Sequence, residues 1–356
     1  MASLEPAREH VRTSFEAELH EQPTTLRRLL TEGRETAEAI AAAVRAYRPR
    51  FAVLTARGTS DNAACYGQYV LGIQNQLLAS LATPSLFTQY GAIPSLEGAF
   101  VIGISQSGQS PDLLEVVREA RRQGAITLAI TNEERSPLAD AAELVFPLRA
   151  GPERAVAATK TYTAQLMALA MLSAALRGAD DLWNELEGLP DLVERSIALN
   201  PGCITTAARF REQNRLVVVG RGYNLATALE IALKVKEMSG VMADGSSSAD
   251  FLHGPLAMLD RSLPVLVVAP GPRTFPDLET LVERARQAGS PLLVISDRED
   301  LLALAEVALS LPPNLPEWLS PMVAVVPGQM WALGLCLARG MAPDAPRGLT
   351  KVTHTR

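Results

Sequence analysis

Cysteine is scarce and scattered. The 356-residue chain has three, Cys65, Cys203 and Cys336, with no C-x-x-C pair and no Cys/His cluster. That argues against a zinc site and against a disulfide framework, and no metal or organic cofactor is expected. A reducing cytoplasm is the compartment it fits. Basic runs are absent as well. Lys and Arg number 33 against 39 Asp and Glu, a formal charge of −6. Nothing here supplies the phosphate-neutralising surface that nucleic acid needs. Apolar runs are short: "LMALAMLSAAL" (166–176) cannot span a bilayer and reads as a buried helix, so no membrane partner is expected. The first thirty residues mix Glu, Arg and His with apolar residues, unlike a secretion signal. Histidine occurs four times, and His10, His20 and His354 lie near the ends, which leaves His253 alone in the body of the chain.

What is present repeats itself. "FAVLTARGTSDNAA" (51–64) and "LVVVGRGYNLATALEIALKVKE" (216–237) share one plan: an apolar run, Arg-Gly, a polar loop and a helix-favouring stretch. Arg57 and Arg221 are offset by 221 − 57 = 164, and Ser105 of "AFVIGIS" and Ala269 of "LPVLVVA" by 269 − 105 = 164. "AITLAIT" (125–131) matches "PLLVIS" (291–296), and "ELVFPL" (143–148) matches "EVALSL" (306–311), at nearly the same offset. Four strand-like segments recurring in order imply two copies of one domain. Continuous apolar strands alternating with helices imply parallel sheets covered on both faces. The expected fold is therefore α/β: two tandem doubly wound parallel-sheet domains, Rossmann-like with flavodoxin-like topology. The divisions read as an N-terminal helical segment (1–45), a first domain (46–177), a helical linker (178–212), a second domain (213–340) and a Pro- and Gly-rich tail (341–356).

"VIGISQSGQSPDLLEVV" (101–117) passes from strand to hydroxyl-rich loop to helix. Ligands of open parallel sheets bind beyond the carboxyl ends of the strands. A helix start offers free N–H groups and a partial positive charge to an anion. Ser105, Gln106, Ser107 and Ser110 add polar groups, Gly108 permits close backbone approach, and Ser110 and Pro111 suit the N-cap and first helical positions. The preceding loop "RGTSDN" supplies Gly58, Thr59 and Ser60. The second copy has "VAPGP" where the first has "ISQSG", and has lost every hydroxyl. One anion site per chain, in the first domain, is the reading: a phosphate.

"RGTSDNAA", "ISQSGQSPD" and "AATKTYTAQL" resemble the sugar isomerase (SIS) family, from about residue 25 onward. The nearest likenesses are the tandem-domain isomerase half of glucosamine-6-phosphate synthase and the type II glucosamine-6-phosphate deaminases. The resemblance implies that Thr59, Ser60, Ser105, Gln106, Ser107 and Ser110 hold the phosphate and sugar hydroxyls of a phosphorylated amino sugar. This chain departs from the synthase at Arg57, where the synthase has Cys, and at Ala158, where it has Ser, which implies one altered sugar contact. The synthase's glutaminase domain, with its N-terminal cysteine nucleophile, has no counterpart in the sequence, so glutamine is not expected as a nitrogen donor.

"ALEIALKVKEMSG" (228–240) is helical by period and sets Glu230, Lys234 and Glu237 at i, i+4 and i+7 on one face. Alone, such a stripe reads as an exposed salt-bridged face. The resemblance changes that: in the synthase family Lys-x-x-Glu on this helix is followed by His-Gly-Pro-Leu, as here at His253, 253 − 237 = 16 residues on. The family's tail Pro-Arg-x-Leu-x-Lys corresponds to "PRGLTK", ending at Lys351. Moving a proton between C1 and C2 needs one carboxylate on the sugar face, for which Glu237 is the candidate. Opening the sugar ring suits an imidazole, hence His253. The resemblance implies that this His comes from a neighbouring subunit, and so a homodimer. Lys351 would form a Schiff base or set positive charge by the enediolate oxygen. Lys234 would orient Glu237. The expected activity is amino-sugar phosphate isomerisation and deamination, glucosamine 6-phosphate to fructose 6-phosphate and ammonia. The alternatives are a phosphosugar aldose–ketose isomerase, a fructosamine-6-phosphate deglycase, or a non-catalytic sugar-phosphate sensor, which would need the anion loop but not Glu237, His253 and Lys351 together.

Overall fold

The computed structural model describes residues 12–351; His10, His354 and the end of the tail lie outside them. Two helices come first, α1 (Ser14–His20) and α2 (Gln22–Tyr47). The first α/β unit follows as β1 (Phe51–Thr55), α3 (Thr59–Asn75), β2 (Ala79–Leu81), α4 (Ser85–Thr88), β3 (Ala99–Ser105) and α5 (Pro111–Arg122). It continues through β4 (Ile126–Thr131), α6 (Pro137–Ala141), β5 (Leu144–Pro147) and α7 (Lys160–Arg177). Helices α8 (Asp180–Ala198) and α9 (Cys203–Thr206) connect to the second unit: β6 (Arg215–Gly220), α10 (Leu225–Ser239), β7 (Met242–Ser247) and α11 (Ser248–Leu252). The chain ends with β8 (Val265–Val268), α12 (Phe275–Ala288), β9 (Leu292–Ser296), α13 (Glu299–Leu302), β10 (Val307–Ser310) and α14 (Ser320–Ala338).

Each unit holds one five-stranded, all-parallel sheet, ordered β2-β1-β3-β4-β5 and β7-β6-β8-β9-β10. The two orders are the same order, that of the flavodoxin-like doubly wound sheet. The four strands expected in each copy are present, and a fifth, β2 or β7, is added at one edge. The central strands β3, β4, β8 and β9 are buried along their whole length, as burial on both faces requires, whereas β5 and β10 at the sheet edges are only partly buried. Pro111 and Pro276 sit in the first turns of α5 and α12, and α12 ends on Gly289 in the left-handed conformation.

One hydrophobic core runs through both units, joining α2, α7 and α3 to α10 and α14; smaller cores lie under α5 and α12 on the outer faces. Helix α7, the "LMALAMLSAAL" helix, is buried almost to its end. The longest apolar helix is, however, α14: Ser320–Ala338 is long and apolar enough to cross a membrane, and 89% of its apolar window is buried within the fold. Its apolar character was hidden in sequence by Pro327 and Gln329. The three cysteines are unpaired and buried. The carboxyl ends of β1 and β3 and the helix α10 therefore face each other across the junction of the two units.

Candidate active site

A cleft of about 180 Å³ opens at that junction. Of the residues expected in the site, Thr59, Ser60, Gln106, Ala158, Lys234, Glu237 and Lys351 line it. They come from three places far apart in sequence: the loops of the first unit, helix α10 of the second, and the tail.

The loop after β1 turns at Gly58, which holds φ 55° and ψ −129° at the N-terminus of α3. A Cβ built there meets nothing within 4 Å, so this glycine is required by backbone conformation rather than by crowding. Ser60 is buried and accepts a hydrogen bond at 3.0 Å from Gln165 Nε2 of α7. Thr59 faces the second unit: its hydroxyl donates to Glu230 Oε1 at 3.1 Å and accepts from Lys234 Nζ at 3.1 Å.

The hydroxyls of the loop after β3 differ in burial. Ser105 is buried, and its Oγ accepts the Gly108 N–H at 3.1 Å, so it shapes the loop from beneath. Gln106 and Ser107 are half-buried, and the Gln106 carbonyl accepts the Asn132 N–H at 3.1 Å. Ser110 stands at the N-cap of α5, as expected, with an extended backbone and no side-chain capping bond. Gly108 holds φ 62°, and a Cβ there would meet Ser136 Oγ at 2.1 Å, so packing as well as backbone conformation requires glycine.

Helix α10 carries a charged stripe that is largely buried rather than an exposed salt-bridged face. Glu230 is fully buried, accepting from Thr59 and from Asn62 Nδ2 at 2.8 Å. Lys234 is fully buried too, 2.5 Å from Glu237 Oε2 and 3.4 Å from Glu230 Oε1. Burial pushes the Glu230 carboxyl up to about 7, against the pull of the Lys234 ammonium and the two hydrogen bonds. For Lys234, burial works downward, but the two carboxylates outweigh it and hold the ammonium above its ordinary range. The pairing that results is a charged lysine directed at Glu237. Of the three, Glu237 is the one with appreciable exposure, its side chain 22% accessible, while Lys234 lines the cleft from beneath.

Lys351 enters from the tail. Its ammonium donates to the Ala155 carbonyl at 2.5 Å and lies 3.4 Å from Glu153 Oε2. Glu153 was missed in sequence. It is buried, accepting the N–H groups of Thr159 at 2.9 Å and Thr161 at 3.1 Å at the start of α7. No periodic or motif signal marks it, because a loop folding back on a helix start creates the site. Asn62 was visible within "RGTSDN" but carried no assignment. His253 is not brought to the cleft of its own chain: it is exposed, at the end of α11.

Two matching parallel sheets with one hydroxyl-lined cleft between them are the marks of a sugar isomerase domain pair. The SIS domain profile matches residues 47–175 and 209–338, and the chain belongs to that family. Glutamine–fructose-6-phosphate aminotransferase [isomerizing] from Thermococcus kodakarensis is 34% identical over 343 residues, 94% of this chain and 56% of that protein. The homology is to its isomerase domain, and the chain spans about half the length of the curated relatives it matches. A crystal structure from Silicibacter pomeroyi, 30% identical, covers 94% of this chain and 100% of that chain with a TM-score of 0.84. The structure of glucosamine-6-phosphate deaminase from Thermotoga maritima covers 96% of this chain and 100% of that chain with a TM-score of 0.75, at 19% identity, a likeness of fold.

Proposed function

We propose that the chain is a phosphosugar isomerase acting on amino sugars, converting glucosamine 6-phosphate and water to fructose 6-phosphate and ammonia. The observation that carries this is the partly exposed Glu237 carboxylate, 2.5 Å from a buried lysine, opening onto the same cleft as Thr59, Ser60 and Gln106. The hydroxyl loops and helix starts of the first unit receive the phosphoryl group. His253, donated by a second copy, takes the C1 hydroxyl proton and returns a proton to the ring oxygen, giving the open aldehyde. Glu237 removes the C2 proton, the freed pair becomes the C1=C2 bond as the carbonyl π pair moves onto O1, and an enolamine forms; the carboxylic acid returns its proton to C1 while the nitrogen closes to C2=N and one N–H proton passes to O1. The product is a 2-imine. Water adds to C2 and the nitrogen leaves as ammonia. The Lys234 ammonium, 2.5 Å from Glu237 Oε2, orients that carboxylate, and Lys351 sets a positive charge beside the oxygen that becomes anionic.

The name and fold likeness of the Thermotoga deaminase support this reading. The test is turnover: the protein is mixed with glucosamine 6-phosphate, and ammonia and fructose 6-phosphate are followed together. Both are expected in equal amounts. Glu237→Gln is expected to lower the rate at least about a hundredfold while the sugar still raises the melting temperature. Fructose 6-phosphate from an unaminated aldose, with no ammonia from the amino sugar, would instead mark a plain aldose–ketose isomerase. Release from a 6-phosphorylated fructosamine alone would mark a deglycase. Binding without turnover on any sugar would mark a sensor.

A further inference from the structure

The tail that brings Lys351 to the cleft has no helix or strand of its own between residues 342 and 351. Residue 351 lies seven positions beyond 344, a span that can reach roughly 24 Å when extended. Something other than regular structure must decide where the ammonium arrives.

That something is α1. Asp344 accepts the backbone N–H groups of Ser14 and Phe15 through its two oxygens, each at 2.8 Å. These are the first residues of α1, where N–H groups lack partners within the helix and a carboxylate is favoured. Helix α1 is itself firmly seated, with Phe15 and Leu19 in the main core. One turn further, buried Glu18 accepts the N–H groups of Arg154 and Ala155, the latter at 3.1 Å. The Ala155 carbonyl is the group that receives Lys351 at 2.5 Å. One short helix thus holds both the root of the tail and the loop that receives its tip.

We infer that Asp344 is a positioning residue: its grip on the first turn of α1 sets where Lys351 enters the cleft, and Glu18 fixes the receiving carbonyl. The inference rests on the reading of Lys351 as the positive group beside the sugar. A carboxylate that merely capped α1 would support that helix and leave the tail where it is.

The test uses the full chain with Asp344→Ala and the milder Asp344→Asn. Amide hydrogen exchange is measured over 13–20 and 342–351, and the rate of Lys351 acetylation by acetic anhydride is read by mass spectrometry. Faster exchange in the tail and several-fold faster labelling of Lys351 are expected, with the sheets of both units unchanged. On glucosamine 6-phosphate, kcat is expected to fall about tenfold or more with KM within about threefold, since a misplaced group costs rate more than binding. Asp344→Glu should restore part of both. Faster exchange in α1 alone, with tail and Lys351 unchanged, would overturn the inference whatever the activity. So would an undiminished kcat in a variant whose tail has loosened. Should the wild-type chain turn over no amino-sugar phosphate, the functional reading fails, while exchange and labelling still decide this one. Asp344→Asn carries the same readouts should Asp344→Ala fold poorly.

Discussion

At the scale of single residues, the decisive arrangement is a lysine between two carboxylates of unequal exposure. Glu230, fully buried, is pushed up to about 7 from 4.5, and Glu237 meets the cleft. The two carboxylates differ by environment, not by chemistry. A consequence follows for stability. Because the folded-state value lies above the unfolded one, the native protein keeps a proton between about pH 4.5 and 7 that the unfolded chain has released. Glu230 therefore favours the fold most below that window, loses its contribution as pH rises through it, and is level above it. Glu230→Gln cannot ionise. Urea unfolding of both proteins from pH 4.5 to 8 should show wild type losing ground to the variant by on the order of 3 kcal/mol across the window. A constant difference would mean that Glu230 is ionised throughout.

Among elements, the strand-to-helix turns repay comparison between the two units. Arg57 Nε lies 2.7 Å from Asp112 Oδ2, and Arg221 Nε lies 3.5 Å from Asp277 Oδ2. These pairs occupy equivalent places in the two repeats, one tying the loop after β1 to the start of α5, the other the loop after β6 to the start of α12. The pair survives in the copy that has lost its hydroxyls, so it belongs to the fold rather than to the ligand. The two should differ in strength. The Asp112 side chain is 2% exposed, whereas Arg221 and Asp277 are 38% and 49% exposed. Asp112→Asn should cost about 1–3 kcal/mol of unfolding free energy, and Asp277→Asn less than about 0.5. Equal losses in thermal or urea unfolding would contradict the comparison.

The elements also divide what was legible in sequence from what was not. The hydroxyl loops were readable because strand, Gly, Ser and helix start follow one another within a few residues. The α10 face was readable as a face, but its burial was not: Glu230 is enclosed by Thr59 and Asn62, 171 and 168 residues away. The edge strands escaped because β2 has only three residues and β7 reads "MADGSS"; pairing with β1 and β6, not apolar pattern, makes them strands. Glu153 escaped because its partners lie at a helix start that only the folded loop approaches.

For the whole molecule, the two units are not independent bodies with a site on one of them. A continuous core joins them, and the cleft needs loops from the first, a helix from the second and the tail from the end of the chain. His253 of the same chain is exposed and does not line that cleft. Donation from a second copy has a clear test. Glu237→Gln and His253→Gln, each inactive alone, are mixed and allowed to exchange subunits. One intact site per mixed dimer should restore about a quarter of wild-type turnover. No recovery, with exchange verified, would place His253 in its own chain's chemistry or outside it.

The most direct measurement is a crystal structure of the Glu237→Gln protein with glucosamine 6-phosphate bound. The phosphoryl group should lie on the loop of Ser107 and Ser110 beside Thr59 and Ser60, with C1 and C2 within hydrogen-bonding reach of residue 237, and His253 of a second copy at the ring oxygen. A phosphoryl group held anywhere else, or sugar carbons out of reach of residue 237, would contradict the account.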